Sequence, residues 1–152
     1  MYNAIRYVHT NIVAKDWRKL ADFYIKVFEC TPVPPERNLS GAWLDALTGI
    51  ADVNIKGIHL NLPGYENGPT LEIFSYSPEC NEVFPPRINR KGFAHIAFHV
   101  DSVERVLEIL LENGGNRLCD VVRKDYGDMG ILTAVYAADP EGNFIEIQNW
   151  KK

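Results

Sequence analysis

Apolar and polar positions alternate along the chain in two distinct rhythms. A period of two, as strands require, runs through roughly Ile5 to Val13, where Ile5, Tyr7, His9, Asn11 and Val13 share a face. It returns in Asn54 to Leu62 and Pro69 to Tyr76, with turn residues Pro63-Gly64-Tyr65-Glu66-Asn67-Gly68 between them, so a hairpin is expected. Thr70, Glu72, Phe74 and Tyr76 fall on one face of its second strand. Gly92 to Asp101, Leu132 to Ala138 and Phe144 to Gln148 show the same alternation, the last with Phe144, Glu146 and Gln148 together. Helical spacing appears twice. Trp17, Leu20, Ala21, Tyr24, Val27 and Phe28 form one stripe over Asp16 to Phe28, which the prolines of Thr31-Pro32-Val33-Pro34-Pro35 should end. Val103, Val106, Leu107, Leu110 and Leu111 form another, opened by a capping box of Asp101 and Glu104 and closed by Gly114-Gly115.

Between these elements, Glu36 to Asp52 reads as a partly buried loop or short helix carrying Trp43, Leu44 and Leu47, and is the candidate lid. Pro78 to Lys91 has no periodicity and reads as a linker, and the stretch holding Asp125, Gly127, Asp128 and Gly130 reads as a loop. The order is strand, helix, strands, and then the same again. Two β-α-β-β-β modules over about residues 1–77 and 92–152 are expected, with the linker 78–91 between them. Neither has enough elements to cover both its helix and its sheet, so the 152 residues are read as one domain of paired modules.

Composition narrows the partners. A net charge of −4 argues against nucleic acid. No apolar run approaches a membrane span and no signal-peptide core follows Met1. Cys30, Cys80 and Cys119 are widely spaced and form no CxxC pair, the pattern of reduced thiols in a cytoplasmic protein.

The repeat aligns His9 with His95 and Glu72 with Glu146, each in a strand among apolar neighbours. Taken singly, each His reads as a hydrogen-bonded core residue and each Glu as half-exposed. Four in a repeated register read instead as a shared site, because a carboxylate among apolar residues is costly unless paired or bound to metal. Two imidazoles and two carboxylates suit an octahedral divalent ion with two positions open for water or substrate. His59 stands between Ile58 and Leu60 and points either toward that site or to water; His99 lies at a strand end and is expected to be solvated. Arg6, Arg87, Arg90 and Arg123 are read as surface charge that is also available to an anionic substrate.

Phe93-Ala94-His95-Ile96-Ala97-Phe98 and Asp139-Pro140-Glu141-Gly142-Asn143-Phe144-Ile145-Glu146-Ile147, with Thr70-Leu71-Glu72-Ile73 and Asp22-Phe23-Tyr24, resemble the vicinal oxygen chelate superfamily of glyoxalases, bleomycin resistance proteins and dioxygenases. The resemblance covers nearly the whole chain. It implies an α+β fold of two βαβββ modules whose curled mixed sheet cups a metal, with His9, Glu72, His95 and Glu146 as ligands. The His, Glu, His, Glu set looks like glyoxalase I, whereas methylmalonyl-CoA epimerase has Gln where Glu72 stands. The segments Glu36 to Asp52 and Phe74 to Pro78 look closer to the epimerase-like members. The resemblance implies a divalent-metal-dependent lyase or isomerase (with Ni, Co, Zn, Mn or Fe) that removes a proton α to a carbonyl of a small chelating substrate. Glu146 or Glu72 would be the base, with His59 and Asp45 next to be tested, and the assembly would be a homodimer. The rival expectations are a non-haem iron dioxygenase of the extradiol type and a non-catalytic drug-binding protein.

Overall fold

The computed structural model describes residues 5–82 and 84–152. Residues 1–4 of the expected first module and residue 83 of the expected linker lie outside the described residues. The chain divides at Glu82 into two units, within the stretch read as a linker, and each is described by itself.

In the first unit, β1 spans His9–Val13, shorter than the expected run from Ile5. Helix α1 covers Trp17–Phe28, and the Asp16 side chain caps it by accepting from the Lys19 N–H at 3.2 Å. Leu20, Ala21, Phe23, Tyr24, Val27 and Phe28 are buried along its inner stripe. The helix ends at Glu29, which sits in the left-handed region at φ 56° while the Cys30 N–H reaches back to the Tyr24 carbonyl. So the prolines do not end the helix in a loop. They lie in a strand, β2, Thr31–Ser40. Its position permits this: β2 is an edge strand paired only with β3 (Asn54–Asn61), and its register shifts between Val33 and Arg37, where Pro34 and Pro35 fall. The rest of the expected lid is a short helix, α2, Ala42–Thr48, of which Leu44 is buried with Val53, Ile55 and Phe74 while Trp43 and Leu47 stay exposed.

Strand β4, Thr70–Ser77, completes a sheet in the order β1-β4-β3-β2, with β1 parallel to β4 and the other pairs antiparallel. Helix α1 packs on β3 and β4. Leu60, Leu71 and Ile73 are fully buried, and the intervening His59, Glu72 and Phe74 take the opposite face. Gly57 is required where β3 crosses β4, since a Cβ there would meet the Ile73 carbonyl at 2.1 Å.

The second unit repeats the plan. β5, His95–His99, leads into α3, Val103–Glu112. The N-cap is Ser102, whose hydroxyl accepts from the Arg105 N–H, one residue beyond the expected Asp101 box. Val103, Leu107 and Leu110 are buried, whereas Leu111 is exposed. Asn113 caps the other end, its amide donating to the Ile109 carbonyl at 2.8 Å just before the expected Gly114-Gly115 stop. Two strands absent from the pattern come next, β6 (Asn116–Arg117) and β7 (Val122–Asp125), both paired to β8, Ile131–Ala138. A single 3-10 turn, Gly127–Met129, joins β7 to β8. β9 runs Phe144–Lys151, antiparallel to β8 and parallel to β5. With β6 and β7 counted as one interrupted strand, each unit has the βαβββ order. Among the described residues no helix is long and apolar enough to cross a membrane.

Candidate metal centre

Parallel pairing of the first and last strand of each unit places one His beside one Glu. In the first unit Asn11 stands opposite Glu72, and His9 lies two residues before Asn11 on the same face. His9 Nε2 comes to 3.1 Å from Glu72 Oε2. In the second unit Ala97 stands opposite Glu146, His95 lies two residues before it, and His95 Nε2 comes to 3.1 Å from Glu146 Oε2. The offset and the contact are the same in both.

Around each pair the neighbours differ. Glu72 is buried, only 9% exposed. Its Oε2 also accepts from the Asn11 amide at 3.4 Å, and its Oε1 lies 3.0 Å from His59 Nε2. His59 stands directly across the hairpin from Glu72, so its ring faces that carboxylate and is half-buried. Its other nitrogen, Nδ1, is 3.2 Å from the Thr70 hydroxyl. Burial first, with Arg37 and His9 adding to it, holds the His59 pKa below the usual imidazole value although Glu72 pulls it up. In the second unit Tyr136 stands across from Glu146, and its ring packs edge-on against His95 at 5.1 Å.

The chain matches the Glyoxalase/Bleomycin resistance protein/Dioxygenase superfamily over residues 6–147. It belongs to that superfamily. No curated protein matches it. Among solved structures it is similar to a glyoxalase family protein from Bacillus cereus, at 16% identity and a TM-score of 0.78, covering 100% of this chain and 97% of that one. A glyoxalase/bleomycin resistance protein/dioxygenase family enzyme from Burkholderia phytofirmans gives 14% identity and a TM-score of 0.60, over 97% and 100%. A fosfomycin resistance protein from Listeria monocytogenes gives 14% and 0.58, over 99% and 96%. At such identities the likeness speaks for the fold, and the glyoxalase-like βαβββ fold is the one expected.

Members of the glyoxalase superfamily are often enzymes and commonly bind a divalent metal. Among the described residues no three His, Cys, Asp or Glu side chains are set out around one point as ligands; His9 and His59 close onto Glu72, and His95 onto Glu146. The donor chemistry fits an ion nonetheless. Imidazole nitrogen and carboxylate oxygen are both ordinary ligands of divalent metals, and each pair would offer one of each.

The secondary candidates sort clearly. Asp45 is not poised as a base: its two oxygens accept from the Asp52 and Val53 N–H groups at 3.1 Å and close the turn after α2. His99 is exposed, as expected, and so are Arg6, Arg87, Arg90 and Arg123. Asn11 and Thr70 carry no signal of their own in the sequence, although each shares a strand face with a residue that does.

Proposed function

We propose that His9 with Glu72 and His95 with Glu146 hold one divalent ion, one pair from each unit, whichever copy of the chain supplies the second pair. The observation that carries this reading is the repeated His-to-Glu register with an equal donor spacing in both units. Nickel, cobalt, zinc, manganese and iron all accept such a nitrogen and oxygen set. When bound, the ion supplies Lewis acidity to two neighbouring oxygens of a small substrate and so acidifies a proton α to a carbonyl.

The chain's own residues then divide the work. His9 and His95 each bring Nε2 beside one oxygen of a glutamate, so that a nitrogen and an oxygen are offered together from each pair. Glu146 takes the α proton and returns it, which makes the protein a lyase or isomerase of the glyoxalase or epimerase kind. Glu72 is the lesser candidate for that base. A cytoplasmic setting and a homodimer belong to the same proposal. The free thiols of Cys30, Cys80 and Cys119 support the first, and the outer edges of β1 and β5, unpaired within their sheets, support the second.

Metal-loaded protein assayed against methylglyoxal–thiol adducts and 2-methyl-branched acyl-CoA thioesters tests the reading, with exchange of the α hydrogen for deuterium as the signal. Exchange that depends on the added metal is expected. Catechol-dependent oxygen uptake with ferrous ion would replace it by the dioxygenase reading, and tight binding of such compounds without exchange by a non-catalytic binder.

A further inference from the structure

The two half-sites share a register but not a partner. The place across from the glutamate is His59 in the first unit and Tyr136 in the second. We propose that His59 is a positioning residue that fixes Glu72 as a stationary ligand and thereby leaves the proton-moving role to Glu146. This deepens the metal-dependent reading above and rests on it.

Three contacts hold the His59 ring, all from one face of β4. Thr70, Glu72 and Phe74 alternate along that strand: the first meets Nδ1 through its hydroxyl, the second meets Nε2 through Oε1, and the third packs edge-on at 5.7 Å. The His9 ring closes a further side, with centroids 5.9 Å apart. A carboxylate oxygen only accepts, so Nε2 must carry the hydrogen and donate to Glu72. Nδ1 meets the Thr70 hydroxyl, which can donate to it or accept from it. Glu72 thus fixes which nitrogen carries the hydrogen, and the Thr70 contact at the other nitrogen holds the ring in that orientation.

Both Glu72 oxygens are accounted for: Oε1 by His59, and Oε2 by His9 and Asn11. Glu146 has His95 on Oε2, while the Tyr136 ring packs on that imidazole; among the described residues no side chain is bonded to Glu146 Oε1. One carboxylate is held at both ends and the other at one end. A base that must swing between metal and substrate needs the second condition, and a ligand that only coordinates gains from the first, because partners behind a ligand reduce the freedom it loses on binding.

Nickel titration by calorimetry on full-length wild type, His59→Leu, His59→Gln, Glu72→Gln and the His59→Leu/Glu72→Gln double variant tests the assignment. His59→Leu should weaken nickel binding about 10- to 100-fold. His59→Gln, which keeps an N–H near the place of Nε2, should recover part of it. In the Glu72→Gln background His59→Leu should change affinity by no more than about twofold, since its action runs through the Glu72 carboxylate. Full, additive loss in the double variant makes His59 a ligand in its own right and overturns the proposal, as does unaltered affinity in His59→Leu. Nitrogen-15 spectra of the wild-type histidines without metal give an independent reading. His59 should carry a hydrogen on Nε2. A hydrogen on Nδ1 alone overturns the positioning role whether or not nickel binds, while failure of wild type to bind nickel, with the Nε2–H in place, removes the metal reading and leaves the His59–Glu72 coupling standing.

Discussion

Asp139 and Asn143 close the turn before the last strand with reciprocal bonds. Asp139 Oδ1 accepts from the Asn143 N–H at 3.0 Å and Oδ2 from its side-chain amide at 2.8 Å, while the Asp139 N–H donates to the Asn143 carbonyl at 2.9 Å. The Glu141 N–H donates to Oδ1 as well, and Asp139 is wholly buried. This turn sets where β9 begins, and Glu146 lies close to the start of that strand. Asp139→Ala leaves three half-buried donors without this partner, at up to about 1–3 kcal/mol each before water replaces it. It should destabilise the protein by about 2–4 kcal/mol in urea unfolding; a change below about 1 kcal/mol would contradict the structural role.

Cys30 is buried at the end of α1, and burial pushes its thiol up to about 12 from an ordinary 9.0. Cys80 and Cys119 are exposed. A thiol reagent should therefore modify two cysteines quickly and the third only on unfolding. The linkage has a definite sign. The unfolded chain releases the Cys30 proton near pH 9.0 and the folded chain not until about pH 12, so stability from this group is complete below pH 9.0 and falls as pH rises between those values. Cys30→Ala should lose less stability over that window than wild type. Equal alkaline loss in the two proteins would show that the thiol ionises freely in the fold.

The two His–Glu pairs of the candidate site are legible in the sequence because strand alternation and the internal repeat both survive in the side chains. His9, Glu72, His95 and Glu146 share one signal, a polar residue at a fixed offset in an otherwise apolar strand. The elements that the sequence hides lack it. β2 contains three prolines and takes its identity from β3 beside it, where an edge position tolerates missing donors. β6 and β7 are exposed throughout, so they show no alternation to read. Ser102 takes the cap over Asp101 by a choice of one residue between two good cappers. His59 is ambiguous in the sequence because its partner depends on hairpin register, and the connection between Asn61 and Thr70 is too long to set that register from its turn residues.

The proposed division between the glutamates predicts unequal variants. Glu146→Gln keeps a ligating oxygen and removes the base, so metal should still bind while turnover drops by about 100-fold or more. Glu72→Gln should lose less turnover, its carboxylate being a fixed ligand. Equal losses of both metal and activity would make the two residues plain ligands and move the base elsewhere in the fold.

Assembly is open to a simple check. The outer edges of β1 and β5, unpaired within their own sheets among the described residues, favour association, and sedimentation should show a homodimer at micromolar concentration. A monomer there would remove the proposed assembly without touching the chemistry.

The most direct test of the account is metal stoichiometry, measured by elemental analysis after dialysis against nickel, cobalt, zinc or manganese. Wild type should retain one ion for each His9–Glu72 pair taken with one His95–Glu146 pair. His95→Ala should abolish retention, because it removes one of the two nitrogen donors of the proposed set. Full stoichiometry in His95→Ala, with the protein folded, would contradict the assignment of the site.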